Sequence, residues 1–283
     1  MLVVFSDLDG TLLDRHSYSF EAARPALDLL RTLAVPLVMC TSKTRAEVEA
    51  WRVRLDNGHP FIVENGAALY VPRDYFAYQF DPAALRGEYA VIEIGRRYPE
   101  IVGILQAASR ESGCRVRGFH AMSVEEISSA CGLPVDLAVL AKRREYDEPF
   151  EILDGDPQPL LQAIDKHKGR WSRGGRFYHV HGNNDKAHCV NLLIHYYERS
   201  FQQPIVTVGL GDGLNDAGFL NSVNIPIILA SPHTPELRAL VPRAWVLELG
   251  GPVGWNTAII KILKDQLSAP PQSGIQMAGG PEG

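Results

Sequence analysis

The 283-residue chain is 46% hydrophobic and 22% charged, enough for one large core or two moderate ones. A net charge of -5 leaves no excess of Lys and Arg to neutralise a phosphate backbone, which argues against nucleic acid as a general partner. Its four cysteines, Cys40, Cys114, Cys131 and Cys189, are far apart and form no Cys-x-x-Cys, so they fit thiols in a reducing cytoplasm better than a disulfide or zinc framework.

The first apolar run, Leu2 to Phe5, halts at Asp7 and Asp9, with Gly10-Thr11 behind them. It is too short for a membrane span and lacks the basic lead of a signal peptide. In an open parallel sheet, residues just past the carboxyl end of a strand stand at the mouth of a cleft. A lone Asp-rich turn would ordinarily be solvated, so the rest of the chain must supply partners.

Helical spacing continues over Glu21 to Leu33, with Pro25 suited to a first turn near Arg24. A second apolar run, Val35 to Cys40, ends at Thr41-Ser42-Lys43. Thr44 and Glu47 form a capping-box pattern that opens a helix to about Leu55. A third run, Pro60 to Val63, ends at Glu64-Asn65-Gly66. Strand alternating with helix predicts a parallel α/β sheet.

The alternation then loosens. Helices are expected near Pro82–Tyr98 and Pro99–Ser112, and a strand over Cys114–Phe119. A capping box at Ser123 and Glu126 comes next, with a helix from Pro134 toward Arg144, a strand Phe150–Leu153, a helix near Pro159–His167 and a strand through Phe177–Val180. Some 95 residues of mixed pattern are too many for a loop, so this stretch reads as an inserted domain. Asp185-Lys186 opens a helix to about Tyr197. Pro204 to Val208 is a strand ending in Gly211-Asp212-Gly213-Leu214-Asn215-Asp216. Ile225 to Leu229 is another strand, which Pro226 assigns to an edge or an early position. Ala244 to Leu249 is a last strand, Trp255 to Leu267 a last helix, and the Pro/Gly/Ser-rich residues 268–283 are expected to be disordered.

Four strand ends thus converge carboxylates, a hydroxyl and a cation on one edge. Clustered carboxylates repel unless a cation sits among them, and oxygen-only ligands in small number suit Mg²⁺. A lysine and a hydroxyl beside such an ion suit a phosphoryl group, and a carboxylate can attack phosphorus. His179, His181 and His188 show no ligand spacing supported by a carboxylate and read as loop and face residues.

Asp7-Leu8-Asp9-Gly10-Thr11, Thr41, Lys186 and Gly211-Asp212-Gly213-Leu214-Asn215-Asp216 resemble the four ordered motifs of the haloacid dehalogenase-like phosphohydrolases. The resemblance implies a Rossmann-like parallel core with helices on both faces (1–80 and 177–267) and an inserted smaller α/β cap of the C2 type (81–176). It implies that Asp7 is the nucleophile, Asp9 the general acid/base, Thr41 a phosphoryl hydrogen-bonding group and Lys186 the neutralising cation. Mg²⁺ would be held by the Asp7 side chain, the Asp9 backbone carbonyl and Asp212, with Asp216 and Asn215 supporting the loop. In the insertion, Arg143-Arg144-Glu145-Tyr146-Asp147-Glu148-Pro149-Phe150 looks like a segment of the mannosyl-3-phosphoglycerate phosphatases, as does Gly251-Pro252-Val253-Gly254-Trp255-Asn256. Those enzymes usually read Asp-Lys-Gly where this chain has Ala187 and His188 after Lys186. The resemblance implies a small phosphorylated glycosyl-glycerate substrate, mannosyl or glucosyl, whose product is a compatible solute. Ser42, Lys43, Asn65, Arg143, Arg144, Glu145 and Asn215 are its expected contacts. The expected setting is the cytoplasm, as a monomer or homodimer, with no nucleic-acid or membrane partner.

Overall fold

The computed structural model describes residues 1–77, 84–174 and 177–268. β1 (Leu2–Ser6) divides its side chains between two apolar clusters, Val4 in one and Val3 with Phe5 in the other. β2 (Leu37–Cys40), which comes after α1 (Arg24–Thr32), does the same: Leu37 and Met39 go to one side, Val38 and Cys40 to the other. Strands apolar on both faces are covered on both. Pro25 lies in the first turn of α1, as expected. α2 (Arg45–Leu55) begins at the expected capping box, in which Thr44 and Glu47 satisfy each other's backbone N–H groups.

The chain continues through β3 (Phe61–Val63), β4 (Ala68–Pro72), β5 (Ala84–Arg86), β6 (Tyr89–Glu93), α3 (Tyr98–Ser112), β7 (Arg115–Gly118), α4 (Val124–Cys131) and α5 (Val135–Ala141). Next come β8 (Asp147–Asp154), α6 (Pro157–Lys166), β9 (Arg170–Gly174), β10 (Phe177–His181), α7 (Lys186–Phe201), β11 (Val206–Gly211) and α8 (Ala217–Ser222). The last elements are β12 (Ile225–Ile228), α9 (Thr234–Leu240), β13 (Trp245–Val246) and α10 (Gly251–Ser268). Among the described residues, the larger sheet runs β13-β12-β11-β1-β2-β3-β4-β6-β5. It is parallel from β13 to β3 and antiparallel beyond. α1, α2 and α10 pack into the cluster on one face, and α7, α8 and α9 into that on the other. The smaller sheet, β7-β8-β10-β9, is antiparallel and carries α3 and α6 against it. No described helix is long and apolar enough to cross a membrane.

Several expectations need correction. The stretch read as a helix over Pro82–Tyr98 contains a hairpin, β5 to β6, joined by Gly87-Glu88 with Gly87 at φ 56°. A glycine with positive φ opening a two-residue turn is a hairpin signal that the helical spacing concealed. β9 was not expected at all. Pro226 takes the early position of its two expected places: it is the second residue of β12, which lies one strand in from the edge because the two-residue β13 pairs with it. β5 and β6 belong to the larger sheet, which reaches Glu93, and β10 places residues to His181 in the smaller one. The expected boundary at 80/81 and nearly all of the tail, residues 269–283, lie outside the described residues.

Candidate active site

The carboxyl ends of β1, β2, β3 and β11 do meet. Lys186, the first residue of α7 and 1% exposed, donates to Asp7 Oδ1 at 2.8 Å and to Asp216 Oδ1 at 2.6 Å. Asp216 Oδ2 accepts from the backbone N–H groups of Asp212 (3.0 Å) and Gly213 (2.9 Å). Both oxygens of Asp216 are therefore committed to holding the loop and the lysine. Gly211 makes this possible, since a Cβ there would lie 2.6 Å from Asp216 Oδ2. Asp212 accepts from Thr11 Oγ1 at 3.0 Å and from Arg15 Nη2 at 2.5 Å.

Burial sets the electrostatics. It raises the Asp7 carboxyl well above the usual range; Asp216 and Asp212 add to this, and Lys186 opposes it. Asp212 is raised by burial and by Asp216, against Arg15 and Thr11. Burial also works against the Lys186 charge, but Asp216 and Asp7 outweigh it and hold the ammonium above its ordinary value. Asp7, Asp212 and Asp216 each bring an oxygen within 4.8 Å of the others. Hard oxygen donors crowded by like charge fit a small divalent cation.

The second carboxylate of the first strand end is held apart from this cluster. Asp9 Oδ2 pairs with Lys43 Nζ at 2.8 Å, and Lys43 in turn lies 3.4 Å from Glu47 Oε1. Lys43 is 5% exposed, with its ammonium 5.1 Å from the Tyr18 ring. Its position makes it the partner of Asp9, a role its sequence context did not reveal. Thr41 is fully buried and its hydroxyl oxygen accepts from Lys43 N. At the third strand end, Asn65 Oδ1 accepts from Asn215 Nδ2 at 3.0 Å, joining β3 to the loop after β11. Gly66, at φ 84°, packs so closely on the residue before Lys186 that a Cβ would fall 1.9 Å from the Asp185 carbonyl oxygen.

The segment after α5 reaches these strand ends from the other sheet. Glu64 is wholly buried, and its two oxygens accept from the N–H groups of Glu145 and Tyr146 at 2.9 Å each. Burial pushes its carboxyl up to about 8, against Arg144 and these N–H groups. Arg144 donates to the Ser42 carbonyl oxygen at 2.9 Å and lies 3.6 Å from Asp147 Oδ1. Asp147 also bonds His179 Nδ1 at 2.9 Å, so His179 is supported by a carboxylate after all. Among the described residues, Arg144 Nε, Asp147 Oδ2 and Asn184 Oδ1 are buried without a hydrogen-bond partner, as is Oδ1 of Asp9. Ser42 thus contributes its backbone carbonyl here. Arg143 is exposed, and Glu145 is occupied by Arg45, Arg86 and Tyr70 as a strap between the two sheets. Arg15 is marked by no strand end or spacing; Thr11 and Glu47 stand in the first strand-end motif and in the capping box, but their contacts with Asp212 and Lys43 come only from the folded chain.

The haloacid dehalogenase-like hydrolase family matches residues 4–86, which contain Asp7, Asp9 and Thr41. A glucosyl-3-phosphoglycerate/mannosyl-3-phosphoglycerate phosphatase from Methanococcoides burtonii is 40% identical over 92% of this chain and 97% of its own. The chain belongs to this family of haloacid dehalogenase-like phosphatases. A mannosyl-3-phosphoglycerate phosphatase from Pyrococcus furiosus is 37% identical over 80% of this chain and 90% of its own. The sucrose-phosphatase of Synechocystis has the same fold, with a TM-score of 0.58 at 14% identity over 92% of this chain and 97% of that one. The enzyme is therefore a phosphatase.

Proposed function

We propose that this phosphatase is Mg²⁺-dependent and hydrolyses mannosyl-3-phosphoglycerate to mannosylglycerate and phosphate in the cytoplasm. The observation that carries the reading is the bridge of Lys186 between Asp7 and Asp216, with Asp212 within reach of the same point. Glucosyl-3-phosphoglycerate is a second substrate on this reading, because the Methanococcoides relative carries both sugars in its name.

In the mechanism, an Asp7 carboxylate oxygen attacks phosphorus in line with the glycerate oxygen. As the phosphorus–oxygen bond breaks, Asp9 gives its proton to that leaving oxygen. Asp9, now a carboxylate, takes a proton from water, which attacks the aspartyl phosphate and releases phosphate and Asp7. Lys186 orients Asp7 and balances its charge, while Lys43 holds the side chain of Asp9. The buried Thr41 hydroxyl donates to a phosphoryl oxygen. Asp7, the Asp9 carbonyl and Asp212 would hold Mg²⁺, which supplies positive charge to the phosphoryl oxygens. Arg144, Asp147 and Asn184, with their unpartnered polar atoms, face the part of the substrate beyond the phosphate.

Phosphate release from a panel of mannosyl-3-phosphoglycerate, glucosyl-3-phosphoglycerate, sucrose 6-phosphate and simple hexose phosphates tests this reading. The two phosphoglycerates should lead by at least about tenfold in kcat/KM, a difference of roughly 1.4 kcal/mol. A hexose phosphate or sucrose phosphate in first place would overturn the substrate assignment and leave the phosphatase intact.

A further inference from the structure

Asp212 is 2% exposed, and both of its oxygens accept a hydrogen bond. The two donors differ in freedom. Thr11 is fully buried in a turn tied down by its own N–H to the Leu8 carbonyl. Arg15 has 49% of its side chain in solvent and begins a loop wound around Asp14, whose Oδ1 accepts from His16 N, Ser17 N and Ser17 Oγ. The guanidinium reaches Asp212 across Gly10, where a Cβ would stand 2.6 Å from Asp212 Oδ2 and 3.0 Å from Arg15 Nη2. Lys186, by contrast, is locked between two carboxylates in the interior.

A guanidinium only donates, so it cannot share a carboxylate lone pair with a metal ion. We infer that Arg15 is a displaceable counter-ion of the metal site: it occupies Asp212 Oδ2 until a divalent cation takes that oxygen, then swings into solvent. The exchange lowers the ion's apparent affinity by the free energy of the Arg15–Asp212 contact, and it keeps the buried carboxylates balanced before the ion arrives. The inference rests on the Mg²⁺-dependent reading above.

Calorimetric titration of the full chain with MgCl₂, at about 50 mM and about 500 mM KCl, compares the wild type with Arg15→Ala. The variant should bind Mg²⁺ about two- to fivefold more tightly, as loss of a half-exposed ion pair allows, and the gain should shrink but remain measurable at high salt. Melting should cross over: Arg15→Ala should melt below the wild type in EDTA and level with it in excess Mg²⁺. Equal or weaker Mg²⁺ binding by the variant would overturn the inference. So would a gain that vanishes at high salt, because that marks a diffuse field rather than direct competition. If the wild type binds no Mg²⁺ and releases phosphate without it, the metal reading itself falls. If it binds Mg²⁺ normally and the variant gains nothing, only the role of Arg15 falls.

Discussion

One buried polar network lies at the ends of β1 and β11 and another where the segment after α5 meets the ends of β2 and β3, and they are finished to different degrees. In the core network, Asp216 spends both oxygens, Lys186 spans two carboxylates, and Asp212 accepts twice, all within 3.0 Å. In the network around the segment after α5, Arg144 and Asp147 each keep a buried polar atom without a partner among the described residues, as does Asn184, which donates to the Glu64 and Asn65 carbonyls. Buried polar groups left unpaired are costly and uncommon in native proteins, so each calls for an explanation. The contrast teaches where the chain keeps rigidity and where it keeps capacity. On the proposed mechanism Asp7 and Lys186 are fixed in advance, whereas Asp9, whose Oδ1 is likewise buried without a partner, and the groups beyond the phosphate are left open to hydrogen bonds from something else.

The sharpest way to break this comparison is at Asp7. Asp7→Asn should cost at least about 10⁴-fold in turnover, with an unchanged circular dichroism spectrum, since the nucleophile is lost and the shape kept. Near-normal phosphate release would remove Asp7 from the mechanism. Lys186→Met tests the finished network through stability as well. Leaving two buried carboxylates without their cation should lower stability by about 3–5 kcal/mol in urea unfolding, and activity should fall with it. On the unfinished side, Arg144→Leu should act on recognition. KM for the phosphoglycerate substrate should rise about tenfold or more, while kcat for a small aryl phosphate stays within about twofold. A fall in aryl phosphate turnover as large as in Asp7→Asn would place Arg144 with the chemistry instead.

The last effect, spread over several pH units, concerns the strut between the two networks. The Glu64 carboxyl is raised to about 8 in the folded chain, against 4.5 as its ordinary value. The folded state therefore holds its proton where the unfolded state has lost it. The associated stability is complete below about pH 4.5 and declines as pH rises toward about 8, by at most about 1.4 kcal/mol per pH unit. Glu64→Gln should remove that slope, so the variant's urea midpoint should gain on the wild type as pH climbs through this window. A constant difference across it would show that Glu64 titrates no differently in the two states.

The core network was legible because its grammar is local. Four apolar runs stop abruptly, and the polar residues just past those stops, Asp7, Thr41, Glu64 and Asp212, land on one edge by the geometry of parallel strands. Lys186 was legible through an oddity, a cation placed where a helix dipole disfavours it. The ties between the sheets were not legible. Glu64 bonds N–H groups more than 80 positions along the chain, and backbone donors leave no trace in side-chain identity. Lys43 stood at a strand end as an expected substrate contact and Arg15 had no mark at all; neither showed its carboxylate partner, because a counter-ion is defined by the groups that fold against it. The β5–β6 hairpin was hidden beneath helical spacing, which a short alanine-rich stretch satisfies by accident.

The contact at Gly66 carries a consequence for how this site can change over time. Position 66 performs no chemistry, yet it fixes how near α7 can come to the third strand end. The smallest added side chain would force the Asp185–Lys186 backbone outward, and Lys186 would be drawn off Asp7 and Asp216 together. Displacements of about 1 Å are enough to cost about a hundredfold in rate. A position that offers no functional group is thus held to glycine twice over, by its distance from the Asp185 carbonyl and by a backbone angle that side chains rarely adopt.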